Sequence, residues 1–276
     1  LMPLFWSLLY RIPEAELVIQ RVVWSFLFLV PVIVLKRGTR RYFRAFRNGR
    51  EWMVHGLSGA LLFANWYAFV WGVIHARVIE VSLGYYTLPF FNILIGWLVL
   101  RERLSRPQWI AVFLAFIGVA IQIAEYGRLP WVSLVVASTF SVYAFIRKQS
   151  PLGPLTGLGV EMTILALPAA LILVWFAVQG QGAIGRVDAY HHVLLFSTGI
   201  LTVIPLLLYT FGARRIRLST IGILQYIAPS IQLLLGVFHY REPVKPSLAV
   251  TFGFIWLALA IYTVDTRRRR SAALPA

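Results

Sequence analysis

The 276-residue chain has no cysteine. Disulfides, thiolate metal centres and cysteine nucleophiles are therefore excluded. Acidic residues are scarce, with 10 Asp and Glu against 26 Lys and Arg, for a net charge of +16. Charged residues make up only 13% of the chain, where a soluble domain carries about 25%. Motifs of common chemistries are missing as well. There is no Gly-x-x-x-x-Gly-Lys-Ser/Thr loop to cradle nucleotide phosphates and no Gly-x-Ser-x-Gly elbow to present a serine. Gly157-Leu158-Gly159 lacks the third glycine and the strand context of a dinucleotide fold. His75, His191, His192 and His239 sit at the ends of apolar segments without metal-ligand spacing. The chain is expected to be no enzyme and to carry neither metal nor cofactor.

Apolar residues, by contrast, reach 59%. One core cannot hide that surplus, because a folded chain of this length still needs a wet polar surface. Hydrocarbon is the solvent that fits. The basic residues lie in short runs between apolar segments, which argues against nucleic acid as a partner. Segments of spanning length are Ala15–Leu35, Trp52–Val73, Val81–Leu100, Pro107–Ala124, Pro130–Ile146, Gly157–Val178, His192–Gly212, Ser219–Tyr240 and Pro246–Val264. Ahead of them, Leu1–Tyr10 supplies half of another, and nothing in it resembles a cleaved signal peptide. Amides inside a bilayer must be satisfied within their own segment, so each span is helical. The expected fold is an all-α membrane protein of ten transmembrane helices, the first truncated, with connections too short for a soluble catalytic domain.

Lys and Arg placement orients the spans. Alternate loops hold Lys36–Arg50, Arg101–Arg106, Arg147 and Lys148, Arg214–Arg217, and the tail Arg267–Arg270. The opposite loops hold only Arg11, Arg77, Arg128, Arg186, Arg241 and Lys245. Both termini are thus expected on the cytoplasmic side. Within residues 37–50, arginines interleave with Tyr42, Phe43 and Phe46, as in a basic amphipathic helix resting on anionic lipid.

One constant offset carries Tyr86 onto Tyr226, Pro89 onto Pro229, Gly96 onto Gly236 and Arg101-Glu102 onto Arg241-Glu242. It also places Gln232 opposite Asn92. The matched spans are the fourth and ninth, an odd step apart, so they cross the bilayer in opposite directions. This predicts two inverted five-helix repeats, residues 1–128 and 129–266, followed by a basic tail over 267–276. Substrate sites in such folds lie between the repeats near the midplane. Tyr85, Pro89, Asn92 and Gly96 share a helical stripe, as do Gln225, Pro229, Gln232 and Gly236, each roughly 60° wide. Proline frees a carbonyl one turn earlier, and the amides can bind a substrate or a neighbouring helix. The stripes therefore read as cavity lining, with helix-packing seams as the alternative.

Ionisable residues inside spans are costly and carry partners or functions. Arg21 and Glu161 are such residues, and the same offset makes them equivalent. Arg21 is placed to attract an anionic group, with Glu80, or else Glu16, as its counter-charge. Glu161 is either a proton carrier or a structural carboxylate, with Ser219 or Thr220 as donors. Trp24, Asn65 and Trp66 extend the same polar lining.

The stretches Arg21-Val-Val-Trp24-Ser25, Ala64-Asn65-Trp66, Glu80-Val-Ser-Leu-Gly84-Tyr85 through Pro89, and Leu218-Ser-Thr-Ile-Gly222 through Gln225-Tyr226-Ile-Ala-Pro229 resemble the RarD group of the EamA-type drug/metabolite transporters. The resemblance covers nearly the whole chain in order. It implies a bacterial inner-membrane permease of two EamA-type repeats, moving a small polar metabolite or drug by alternating access. It also implies site roles for Arg21, Trp24, Asn65, Glu80, Tyr85 and Gln225. Ser7 departs from the family, whose members often carry a lysine there. The competing reading is a non-transporting integral membrane partner or regulator of another complex. Assembly as a homodimer is left open.

Overall fold

Polar caps set where helices begin. In the computed structural model, Ser105 and Gln108 close a reciprocal capping box, Asn48 accepts from Arg50 and Glu51 amides, and Asp188 accepts from the His191 amide. Residues 5, 8–9, 12–36, 39–75, 77–127, 129–180, 182–183, 186–238 and 246–272 are described. Most of the half helix over Leu1–Tyr10, including Ser7, lies outside them, as do Arg241-Glu242 and the side chain of Gln232. Regular structure among the described residues is all α-helical. In chain order the helices are α1 (Glu14–Leu35), α2 (Thr39–Arg47), α3 (Gly49–Ile74), α4 (Val78–Leu98), α5 (Arg106–Tyr126) and α6 (Trp131–Gln149). They continue as α7 (Pro154–Val178), α8 (Ala189–Ala213), α9 (Leu218–Gln225), α10 (Ile227–Phe238) and α11 (Pro246–Ala272).

Seven of these, α1, α3, α4, α5, α7, α8 and α11, are long and apolar enough to cross a membrane. α6 has the length, at 19 residues, but Ser133, Ser138, Thr139, Ser141, Arg147 and Lys148 dilute its apolar surface. The expected span Ser219–Tyr240 requires correction, since it breaks at Tyr226 between α9 and α10. Pro229 has no N–H to give the Gln225 carbonyl one turn earlier. The chain tightens there, with the Tyr226 amide donating to Ile223 O (3.2 Å), and resumes when the Ser230 amide donates to Tyr226 O (3.2 Å). Pro89, at the equivalent place, leaves α4 continuous. Of the two expected hinges, only Pro229 accompanies a break.

The chain forms two compact units, Leu1–His75 with Ile146–Arg215, and Ala76–Phe145 with Ile216–Ala276. The halves 1–128 and 129–266 each contribute to both. The boundaries after His75 and Arg215 are separated by the same offset of 140 residues as Tyr86 and Tyr226.

In the first unit α1 packs on α7 and α8, and α3 packs on α7. A Cβ at Gly199 of α8 would lie 2.6 Å from the Trp24 carbonyl of α1, so only glycine permits that approach. Its equivalent, Gly59 on α3, faces the Glu161 carbonyl of α7. Amphipathic α2 buries Tyr42 and Ala45 against this unit and leaves Phe43 exposed. The second unit pairs α4 with α9 and α5 with α11, helices that the offset makes equivalent. Ile93, Ala115, Ile223, Tyr226, Ile255 and Ala258 lie in its core.

Candidate functional site

The polar side chains buried in α1, α3, α7 and α8 form two clusters in the first unit. The first surrounds Arg21. Its Nε donates to Thr202 Oγ1 (2.6 Å) on α8, and its guanidinium carbon stands 4.1 Å from the centre of the Trp66 ring on α3. This is a cation–π geometry, which strengthens where water is thin. Asn65, beside Trp66, is buried. Trp24, one turn along α1 from Gln20, donates its Nε1 to Gln20 Oε1 (3.0 Å) and meets the Phe196 ring edge-on. Glu16, the second expected counter-charge for Arg21, is instead held by the Ala183 amide (2.8 and 2.9 Å) and Gln20.

The second cluster centres on Glu161, which is wholly buried. Its Oε1 accepts from Ser58 Oγ (2.8 Å) and lies 3.0 Å from His55 Nδ1 and 3.3 Å from Arg147 Nη1. Ser219 and Thr220 are not its donors: Ser219 binds Glu102, and Thr220 faces the Tyr262 hydroxyl. Arg147, expected in an exposed loop, is completely buried at the end of α6. Its Nη2 donates to Pro154 O (3.0 Å), and a Cβ at Gly157 would lie 1.9 Å from Nη1. The missing side chain of Gly157 is what admits the guanidinium. Other cations gather on the same loop: Arg41 donates to Pro151 O, and Arg214 to Ser150 O and Leu152 O. Burial, then repulsion from Arg147, Arg41 and Arg215, lowers the Arg214 guanidinium from its ordinary value.

Sequence reasoning missed His55, Arg147, Ser150 and Thr202 as site residues. His55 carried a usable signal, since it is an ionisable group inside the span Trp52–Val73. Arg147 did not, because a cation at a span end reads as a loop residue.

The stripe residues fall in the second unit. Asn92, fully buried, donates through Nδ2 to Gln225 Oε1 (2.5 Å), which joins α4 to α9. Tyr85 is 41% exposed, so it does not share the burial of Pro89 and Asn92 on its stripe. Tyr226, expected to touch substrate, is a core residue with no exposed surface, and its hydroxyl donates to Tyr86 O (3.1 Å). Glu80 accepts from Arg77 Nη1 (2.9 Å), the Val132 amide (3.2 Å) and the Tyr126 hydroxyl. Its ion pair is therefore with Arg77, three residues earlier, on its own side of the unit.

Long apolar helices that bury a few ion pairs and amides are those of a multi-pass membrane transporter, and comparison with known proteins specifies which. The description EamA-like transporter family matches residues 3–123. Protein RarD of Streptomyces exfoliatus is 39% identical over 99% of this chain and 87% of its own. An uncharacterized transporter of Pseudomonas aeruginosa is 40% identical over 97% of this chain and 90% of its own. Protein RarD of Escherichia coli is 37% identical over 98% and 92%. A solved crystal structure, 19% identical, covers 97% of this chain at a TM-score of 0.72, which shows the fold alone. The chain belongs to the RarD-type group of the EamA-like transporters. It is a multi-pass inner-membrane protein, a secondary transporter working by alternating access and not an enzyme.

Proposed function

We propose that the transported solute is a small polar metabolite or drug with an anionic or π-accepting group, recognised at Arg21. The observation that carries this reading is the guanidinium held at 2.6 Å by Thr202 and stacked on Trp66. Three helices thus orient one intramembrane cation, where ionisable residues mark substrate paths. Asn65 and Trp24 extend the contact surface. Asn92 and Gln225 serve the α4–α9 seam beside the hinge at Pro229. The groove of about 560 Å³ between α4 and α5 is walled by Phe90, Phe91, Trp97 and Phe116, which suits an acyl chain better than a polar solute.

Two inverted five-helix repeats account for the pairing of offset-related helices, and the basic asymmetry supports cytoplasmic termini. Exposed Phe43 with Arg40 and Arg44 supports docking of α2 on anionic headgroups. A thermal-stabilisation screen of metabolites and drugs would identify the ligand, because a bound ligand stabilises the folded state. Flux of that ligand into proteoliposomes then tests the site. Arg21→Ala should weaken apparent affinity about 10- to 100-fold, the worth of a lost charge-assisted hydrogen bond. Normal flux in a well-folded Arg21→Ala protein would remove Arg21 from the site.

A further inference from the structure

The groups around Glu161 form a chain as well as a cluster. Ser150, 4% exposed at the head of the α6–α7 loop, accepts the Leu152 amide proton at Oγ (3.1 Å). With its own hydroxyl hydrogen turned to His55 Nε2, 2.9 Å away, Ser150 can donate to the imidazole. An imidazole that accepts at Nε2 carries its proton at Nδ1 when neutral. That proton faces Glu161 Oε1 at 3.0 Å. Three proton-carrying groups from three elements are thus connected in series, running from the loop to a fully buried carboxylate.

Arg147 Nη1 stands 3.3 Å from Glu161 Oε1 and 3.3 Å from His55 Nδ1. Its position suits both ends of a proton movement. In the first state Glu161 is ionised, His55 carries its proton at Nδ1, and Arg147 donates to the carboxylate. A proton arriving from the loop side joins Ser150, whose hydroxyl proton passes to Nε2 as the Nδ1 proton moves to Oε1. Glu161 is then neutral, and the freed Nδ1 lone pair accepts from Arg147 in place of the carboxylate. No bond other than O–H and N–H forms or breaks, and the added charge stays with Arg147, whose Nη2 already donates to Pro154 O. Among the described residues, Glu161 Oε2 is buried without a partner, so the neutral carboxyl group can turn and carry its proton away from His55 for onward release. An ion pair built only to brace helices would satisfy both oxygens.

We propose that Ser150, His55 and Glu161 form a proton relay, and that the proton is the ion this transporter couples to solute movement. The metal-cation alternative fits poorly, because Arg147, itself a cation, already stands 3.3 Å from Glu161 Oε1. The other charged or titratable groups around the relay are Arg41 and Tyr42 on α2, Glu51 on α3, Lys148 at the end of α6, and Arg214 after α8. From α1 the neighbour is apolar Ile33. Breaking Arg147–Glu161 without a proton would leave two uncompensated buried charges. A proton on Glu161 lets α7 part from α6 and α3 at lower cost. Coupling by this route rests on the transport reading; proton uptake by the relay does not.

The test is infrared difference spectroscopy on the full chain in lipid nanodiscs, stepped from about pH 8 to about pH 3.5, across the imidazole and carboxyl ranges. A carboxyl C=O band should appear in the wild type, vanish in Glu161→Gln and shift in Glu161→Asp. Its rise after a pH jump should slow about 100-fold in His55→Gln, the low end of what a positioned proton carrier contributes. Absence of the band, its persistence in Glu161→Gln, or an unchanged rate in His55→Gln would each overturn the relay. A protein that transports without the band defeats the relay alone. One that shows the band but moves no solute defeats the transport reading alone.

Discussion

The hydroxyl of Tyr226 donates to the backbone carbonyl of Tyr86 at 3.1 Å, and the two residues are 140 positions apart in the chain. Two positions that the constant sequence offset relates therefore touch. Tyr226→Phe should cost about 1 kcal/mol, the net worth of one buried hydrogen bond. A fall of a few degrees in melting temperature, with the fold retained, is the expected measurement.

Gly157→Ala should be far more damaging than its single methyl group implies. The added Cβ would meet Arg147 Nη1 at 1.9 Å and drive the guanidinium off Glu161. A buried charge stripped of its partner costs roughly 3–5 kcal/mol. Unfolding in detergent should show this loss, and Gly157→Ala combined with Glu161→Gln should recover part of it.

Glu102 caps α9 from across the second unit. Its carboxylate accepts from the Leu218 amide (2.7 Å), the Ser219 amide (3.0 Å) and Ser219 Oγ (2.6 Å). Anionic oxygens at a helix N-terminus stabilise by about 0.5–2 kcal/mol. Glu102→Gln should lose about half of that and Glu102→Ala all of it, read by thermal unfolding, while the Arg21 cluster keeps its ligand affinity.

Pro229→Ala restores an N–H to meet the Gln225 carbonyl. α9 and α10 should then fuse through Tyr226, and amide exchange over residues 226–230 should slow by about tenfold or more, equivalent to ~1.4 kcal/mol. Pro89→Ala, in a helix already continuous, should change exchange much less. Equal effects at both prolines would show that the break at Tyr226 does not come from the proline.

The absence of cysteine makes orientation simple to test. Arg44→Cys and Arg186→Cys should label from opposite faces of intact cells, Arg186→Cys alone reacting with an impermeant reagent added outside. Reaction of both would reverse the assignment built on basic loops.

Helices α1, α3, α4, α5, α7, α8 and α11 were legible because a spanning helix must hide its amides within a long apolar run, and such runs can be read locally. The family was legible for a related reason: its motifs, such as those around Pro89 and Pro229, keep their order along the chain. Arg21 and Glu161 declared themselves by their cost in hydrocarbon. Their partners did not. Thr202 and Trp66 meet Arg21 from other helices, and Glu80 is held by Arg77, Tyr126 and the Val132 amide. Arg147 reaches Glu161 only because Gly157, ten residues on, has no side chain. Two prolines in matched positions likewise yield one break and one continuous helix. A proline removes one local hydrogen bond whatever its surroundings. Whether the chain then parts depends on what the freed segment can pack against, and at Tyr226 that is the Tyr86 carbonyl and the core of the second unit. Local chemistry determined which groups needed partners, and tertiary packing decided which partners they obtained.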